Sequence, residues 1–199
     1  MFYLVFDFET TGTRDGTPHN YPTQFACELL NSKGKEIDKF DAFIKGATIL
    51  SPWVLKNCPN ITIEKCNEGI DIHTLLQKMY QILHNNLPEL SLCTLVAHNM
   101  DFDWAVLTAA VKLADLESTK EFQDLSSLPR LCTMKDRLRR YEKWPKLKEL
   151  AESFEIVFED AIAHDAVYDA HICGQCLPHI LRAYPNKRRK LYTFHQVTL

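Results

Sequence analysis

The chain has 199 residues, of which 46% are hydrophobic and 25% are charged, and its formal net charge is -3. These values are typical of a soluble globular protein with a sizeable core and exclude a polycation, so any nucleic-acid site must be a local basic patch. No apolar run approaches the ~20 residues of a membrane-spanning helix, and no basic region precedes the N-terminal run, so we expect no membrane partner and no signal peptide. Seven scattered cysteines, an odd number, predict reduced thiols in an intracellular protein of the cytoplasm or nucleus.

Apolar runs and alternating patterns predict five strands. In chain order they are the run that begins at Phe2, and residues 24–30, 37–44, 90–97 and 128–133. Helices are predicted at residues 70–87, 102–114, about 134–142, about 146–154, and from Asp165 past Cys176, where Pro178 marks a kink or an end. Residues 13–23 are predicted to be a turn-rich loop, and residues 46–68 a loop with short helical pieces. Three strands, followed by strands alternating with helices, predict one mixed sheet flanked by helices in a single domain of residues 1–199.

The first predicted strand ends in a pair of carboxylates, Asp7 and Glu9. Side chains alternate along a strand, so these two point to the same side of the sheet. Two carboxylates at the end of a buried strand repel each other unless a positive charge joins them, and a hard divalent cation such as Mg²⁺ takes oxygen ligands. The alternative is a strand end whose acids simply face water.

A second group of polar residues, from His98 to Asp103, follows the fourth predicted strand. Asp103 falls in the first turn of the next helix, where backbone N–H groups and the helix dipole favour an anion. The alternative is that Asp101 or Asp103 does no more than cap this helix.

A third group begins at His164 and ends at Asp169. Five residues turn a helix by ~500°, so these two side chains cannot share one helix face. They reach one site only if His164 lies in the preceding loop and Asp165 caps the helix, which places Asp169 one turn in. Ordinary capping of a surface helix is the alternative.

Together the three groups supply four carboxylates and one imidazole, each at a strand end or a helix start, where α/β proteins build their sites. The set is Asp7, Glu9, Asp103, Asp169 and His164. Four acids can hold two divalent metal ions ~4 Å apart, which clamp the attacking and leaving oxygens of a phosphodiester. An unperturbed histidine pKa of ~6.5 suits general-base activation of water.

This combination closely resembles the DEDDh 3′–5′ exonucleases, the DnaQ-like or epsilon-type branch of the RNase H-like fold. The resemblance rests on Asp7-Phe8-Glu9-Thr10-Thr11-Gly12, on His98-Asn99 with Phe102-Asp103, and on His164 with Asp169. The motifs occur in the family's order, and a histidine rather than a tyrosine before the last aspartate is typical of the "h" branch. The resemblance implies an RNase H-like α/β fold, a mixed five-stranded sheet flanked by helices. The motif-bearing core spans about residues 2–176, and a basic tail spans about 182–199.

The same resemblance implies a role for each motif residue. Four carboxylates are expected to bind two Mg²⁺ ions, with Mn²⁺ as a substitute, and these are Asp7, Glu9, Asp103 and Asp169. His164 is expected to act as the general base. The residues that fall where the family contacts the terminal nucleotide are Thr10, Thr11, His98 and Asn99.

Residues 130–148 form a basic segment, in which eight Lys or Arg side chains stand against two acids. We expect Arg137, Arg139 and Arg140 to contact phosphates, and the interleaved Tyr141 and Trp144 offer rings that stack on bases. A solvated helix face is the alternative, and for the C-terminal basic run we favour that alternative.

We therefore expect a metal-dependent 3′–5′ exonuclease that hydrolyses phosphodiester bonds at single-stranded DNA or RNA ends and releases nucleoside 5′-monophosphates. An enzyme that trims RNA is the alternative within this class, and a contact to the 2′-OH would decide it. A non-catalytic nucleic-acid-binding or polymerase-associated module is the alternative from another class. Four clustered acids facing phosphates argue against it, since a pure binder gains nothing from them. A polymerase or another replication, repair or RNA-processing partner would bind in trans.

Overall fold

The computed structural model describes residues 1–12, 20–135 and 144–183. The strands are β1 Phe2–Thr10, β2 Pro22–Asn31, β3 Glu36–Phe43, β4 Cys93–Ala97 and β5 Arg130–Cys132. The helices are α1 Pro52–Asn57, α2 Ile63–Glu68, α3 Ile72–Asn86, α4 Met100–Leu113, α5 Lys120–Ser127, α6 Leu147–Glu152 and α7 Ala166–Ala183. Single 3₁₀ turns occur at Leu90–Leu92 and Asp160–Ile162. Among the described helices, none is both long and apolar enough to cross a membrane.

The five strands form one sheet in the order β3-β2-β1-β4-β5. β1, β2 and β3 pair antiparallel, whereas β4 and β5 run parallel to β1. The predicted mixed five-stranded sheet with flanking helices is therefore confirmed. β1 is the central strand, and its C-terminal end lies at the same edge of the sheet as the C-terminal ends of the parallel strands β4 and β5.

The two faces of β1 pack against different helices. Even-numbered residues such as Leu4 and Phe6 enter the main core, which α3, α4 and α5 complete. Odd-numbered residues such as Tyr3 and Val5 pack instead against the α7 residues Cys173 and Leu177. Because side chains alternate along a strand, Asp7 and Glu9 belong to the α7 face. That face is thus apolar along the first half of β1 and acidic at its end.

Small side chains let α7 lie close to the sheet. Ala166 and Ala170 pack against Ala26 of β2. One turn further on, a Cβ added to Gly174 would come within 3.2 Å of the Glu28 carboxylate. A kink or an end was expected at Pro178, and the end is excluded because the helix continues through Pro178 to Ala183.

Some element boundaries differ from the sequence prediction. Residues 90–92 form a 3₁₀ turn, so β4 begins only at Cys93. The helix α5 was not predicted, because only Phe122 and Leu125 along its eight residues are buried and the periodic signal is short. The helix predicted at residues 134–142 lies mostly outside the described residues.

Candidate active site

A cleft of about 760 Å³ opens at the C-terminal end of β1, between the starts of α4 and α7. All four predicted metal ligands and the predicted base line it, namely Asp7, Glu9, Asp103, Asp169 and His164. The fold thus brings the three sequence motifs to one place. Whether these residues hold the roles expected of them stays a prediction.

Asp103 joins the start of α4 to the central strand. Its Oδ1 accepts a hydrogen bond from the backbone N–H of Phe8 at 3.1 Å, and the residue is only 2% exposed. The pairing of β1 with β4 ends at Val5, so the N–H of Phe8 takes this carboxylate in place of a strand partner. Asn99, with φ 72°, occupies the N-cap position of α4. The structure therefore does not support the alternative that Asp103 only caps its own helix.

His164 precedes α7 in a left-handed backbone conformation, with φ 63°. Asp165 follows as the helix cap, and its Oδ1 accepts a hydrogen bond from the Val167 N–H at 3.0 Å. Asp169 lies one turn into the helix, and its N–H bonds to the carbonyl of Asp165 at 2.9 Å. The loop position of His164 and the capping role of Asp165 agree with the sequence prediction.

Three of these side chains could together hold a metal ion. One ligand atom each from Glu9, His164 and Asp169 lies within 4.8 Å of the other two. The Oδ1 atom of Asp169 is buried and has no hydrogen-bond partner within the part of the chain that the structure describes. A buried carboxylate oxygen without a donor is costly, and a hard divalent cation is a partner that oxygen ligands suit. The donor set therefore fits a divalent cation.

The carboxylates raise each other's pKa values. Burial raises the pKa of Asp7 well above its ordinary value, and the charges of Asp103, Glu9 and Asp169 raise it further. Burial and the neighbouring charges raise the pKa of Glu9 to about 8. Burial likewise raises the pKa of Asp103 to about 8, although hydrogen bonds from backbone N–H groups oppose the shift. For Asp169, burial raises the pKa to about 6, against a backbone hydrogen bond at His164. Without a cation, the cluster retains protons near neutral pH.

The imidazole of His98 is fully engaged by the protein. Its Nε2 lies 3.2 Å from the carbonyl oxygen of Pro145, which can only accept, so Nε2 carries the proton. Nδ1 then accepts from the hydroxyl of Thr133 at 3.0 Å. Burial lowers the pKa of His98 to about 4, so the ring is neutral. His98 lines the cleft, yet both ring nitrogens are committed to neighbouring segments.

The other predicted substrate contacts are placed unequally. Thr10 and Asn99 line the cleft, whereas Thr11 is not among the described residues that do. Thr11 is buried, and its hydroxyl accepts a hydrogen bond from the Tyr21 N–H at 3.2 Å. A contact between Thr10, His98 or Asn99 and a terminal nucleotide stays a prediction, as does one with Thr11.

Two residues beside the cluster were missed by the sequence analysis. The half-exposed indole of Trp53, on α1, lines the cleft and meets the His164 ring edge-on at a centroid distance of 5.0 Å. The Cys58 thiol lies 4.0 Å from a carboxylate oxygen of Glu9. Both belong to residues 46–68, where loops and helices of only six residues carry no periodic signal that would place a side chain.

The basic segment is only partly described. Arg137, Arg139 and Arg140, the predicted phosphate contacts, lie outside the described residues. Within the described part, Lys135 is paired with Asp101 and also lies 5.1 Å from the centre of the Trp144 ring. Lys148 bonds to Asp160 at 2.5 Å. At least two cations of the segment are therefore engaged within the protein.

A family model and several known proteins match this chain. The RNase_T family model, described as Exonuclease, matches residues 4–177. Among curated proteins, the chain is similar to the PolC-type DNA polymerase III of Mycoplasmopsis pulmonis, with 28% identity over 170 residues. The match covers 85% of this chain but only 11% of that polymerase, so the chain spans about a tenth of the length of such relatives.

Two solved structures share the fold. One is E. coli exonuclease I in complex with a dT13 oligonucleotide, with a TM-score of 0.68, 18% identity, and coverage of 98% of this chain and 44% of that chain. The other is a 3′-exonuclease in a structure on 3′-end-specific recognition of a histone mRNA stem-loop. Its TM-score is 0.69 at 16% identity, and 94% of this chain and 82% of that chain are covered.

Proposed function

The chain belongs to the DEDDh-type exonuclease family, and we propose that it removes nucleotides from the 3′ ends of single-stranded nucleic acid in a reaction that requires divalent metal. The products would be nucleoside 5′-monophosphates and a strand shortened by one residue. The observation that carries the proposal is the cleft itself, where four carboxylates and one exposed histidine from β1, α4 and the start of α7 converge. Further support comes from the buried Oδ1 of Asp169, which has no hydrogen-bond partner among the described residues and which a divalent cation would suit as a ligand.

The acids would hold the metal ions, and we assign this role to Asp7, Glu9, Asp103 and Asp169. Two bound Mg²⁺ ions would neutralise charge on the phosphate and stabilise its attacking and leaving oxygens, and Mn²⁺ would substitute. Carboxylate oxygens are the ligands that these hard cations prefer. The raised pKa values of Glu9 and Asp103, about 8, mean that cation binding must also displace protons.

We assign His164 as the general base. Partial burial and the positive charge of Lys146 lower the pKa of this imidazole, so it is neutral near pH 7 and can accept a proton. In the reaction, a water oxygen would attack the phosphorus of the last phosphodiester and lose a proton to the ring. The bond from that phosphorus to the 3′ oxygen of the preceding nucleotide would break, and that oxygen would take a proton from solvent and leave as a hydroxyl.

The remaining predicted site residues would bind the strand. Thr10, Thr11, His98 and Asn99 are proposed to surround the terminal nucleotide, and Arg137, Arg139 and Arg140 to contact phosphates further along. Of the two structural neighbours, E. coli exonuclease I is in complex with a DNA oligonucleotide, and the 3′-exonuclease recognises an mRNA stem-loop. DNA and RNA strands should therefore both be tested as substrates. The similarity to PolC-type DNA polymerase III supports a polymerase as a partner of this chain.

Strands labelled at one end test the polarity and the products. We expect a 3′-labelled single strand to release labelled monophosphate at once, and a 5′-labelled strand to yield a ladder of shortening products. A circular single strand should resist, since it has no end. Matched DNA and RNA oligonucleotides, with Mg²⁺ in every reaction, would rank the two substrates. Cleavage of the circle, or first release of the 5′ label, would overturn the proposal, and absence of any product would favour the non-catalytic module.

A further inference from the structure

We propose that Gln24 is a positioning residue. It holds the turn formed by His164 and Asp165, just before α7, in place relative to Glu9. The inference rests on the proposed function, because it assigns Gln24 an effect on the step that His164 performs. Gln24 lies on β2, does not belong to any of the three motifs, and is not among the described residues that line the cleft.

The register of the sheet places Gln24 directly opposite Glu9. Opposed residues of antiparallel strands project from the same face, so the Gln24 side chain leaves the sheet on the α7 side, next to Glu9. The residue is 4% exposed, and a buried amide must find hydrogen-bond partners. Those partners identify what Gln24 does.

Both ends of the Gln24 amide bond to the start of α7. Its oxygen accepts from the Ala166 N–H at 3.3 Å, and its NH₂ group donates to Oδ1 of Asp165 at 3.5 Å. The chemistry fixes this orientation, since a backbone N–H can only donate and a carboxylate can only accept. The Ala166 N–H is one of the helix N-terminal donors that has no partner inside the helix. One side chain thus joins the strand that flanks Glu9 to the two residues that follow His164.

The backbone of His164 needs such support. A histidine at φ 63° is in a strained region, and strained residues persist where the surroundings determine their conformation. Asp165, the next residue, is held from two sides, because its Oδ2 also accepts from the Asn60 side chain at 3.5 Å. Asn60 is exposed, however, whereas Gln24 is buried beside the acids. Gln24 is therefore the contact that water cannot easily replace.

A double-mutant cycle separates positioning from general structural support. Gln24→Met keeps the length of the side chain and removes both hydrogen bonds. We expect kcat to fall by about 10- to 10²-fold, the usual cost of a misplaced reactive group, while KM changes by less than about twofold. In a His164→Ala background, the same substitution should lower kcat little further, because the group that it misplaces is already gone.

Gln77→Met is the matched control. Gln77, on the surface helix α3, also has its amide within hydrogen-bond distance of a side chain, the ring of His73 at 3.3 Å. The control should retain the wild-type kcat. If Gln24→Met and Gln77→Met have equal kcat values, or if the loss from Gln24→Met is as large with His164 absent as with it present, the proposal is wrong.

Amide hydrogen exchange provides a readout that does not depend on activity. In the metal-free protein, the Ala166 N–H should exchange slowly in the wild type and clearly faster in Gln24→Met. Unchanged exchange would contradict the proposed contact even if the wild type is an active nuclease. A change in exchange in a protein without nuclease activity would instead refute the proposed function and leave the contact standing.

A second variant covers the case in which Gln24→Met fails to fold. Gln24→Glu keeps an oxygen that accepts from the Ala166 N–H, but in place of the donor it faces Asp165 with a second carboxylate, which repels it. We expect its kcat to be below that of the wild type, with the same non-additivity toward His164→Ala. Wild-type kcat in folded Gln24→Glu, with additive loss in the double variant, would reject the positioning role.

Discussion

Two histidines line the same cleft, and they differ in almost every physical respect. His98 is largely buried, and both of its ring nitrogens are hydrogen-bonded to Thr133 and Pro145. The ring of His98 links two other segments of the chain, whereas His164 presents its imidazole to the cleft. Proximity to a site therefore does not decide which histidine can take part in chemistry, and the hydrogen bonds of the ring do.

We expect the largest loss of turnover from substitution of an acidic residue of the cleft. Asp7→Asn should abolish turnover, because it removes a carboxylate from the proposed metal site. The melting temperature of the metal-free variant should be unchanged or higher, since one of several mutually repelling groups is gone. Steady-state turnover and thermal melting of the same preparation check both points. Wild-type turnover in a folded Asp7→Asn protein would rule out this metal site.

His164→Ala should slow chemistry by ~10²–10⁴-fold, the usual contribution of a general base. Substrate KM and Mg²⁺ binding should stay near their wild-type values, because four carboxylates remain to bind the ions. Single-turnover rates at saturating Mg²⁺, with calorimetric titration of the metal, measure the two effects separately. Near wild-type rates would remove His164 from the mechanism.

His98→Ala should have the opposite profile. Truncation removes the imidazole donor to the Pro145 carbonyl and the imidazole acceptor of the Thr133 hydroxyl, so the free energy of unfolding should fall by about 1–3 kcal/mol for an unsatisfied buried group. The kcat of the folded fraction should fall far less than in His164→Ala, and a raised KM would support the predicted contact with the terminal nucleotide. Denaturant unfolding and turnover together test this. A stable His98→Ala protein as slow as His164→Ala would reverse the comparison.

The pH dependence of stability should also distinguish the contribution of Glu9 from that of His98 in the metal-free protein. In the folded state the pKa of Glu9 is raised from 4.5 to about 8, so this acid destabilises the fold progressively as pH rises from about 4 to about 8. The pKa of His98 is lowered from 6.5 to about 4, so its contribution is present above pH 6.5 and is lost as pH falls toward 4. Glu9→Gln should remove part of the loss at high pH, and His98→Ala part of the loss at low pH. Denaturant midpoints in chelator across pH 4–8 give both slopes, and parallel curves for the three proteins would contradict the assignment.

Much of the fold and of the candidate site could be predicted from local patterns. The apolar run of β1, its alternation and the acids at its end indicate a buried strand that carries Asp7 and Glu9 toward one face. Helix geometry indicated that His164 and Asp169 could reach one site only if His164 lay in the preceding loop. The short α5 was missed because two buried residues do not make a period. Trp53 could not be placed beside His164, nor Gln24 beside Asp165, because both positions depend on where α1 and β2 lie relative to the start of α7. Pairing and packing over long distances in the chain leave no short-range signal.

The central claim is that this cleft performs metal-dependent hydrolysis, and one titration tests it most directly. Release of a 3′-terminal label from a single strand is followed in excess chelator and then across increasing Mg²⁺, for the wild type and for Asp103→Asn. We predict no release in chelator, saturable release with Mg²⁺ and also with Mn²⁺, and none from Asp103→Asn at any concentration. Release in chelator at the rate seen with saturating Mg²⁺ would contradict the claim.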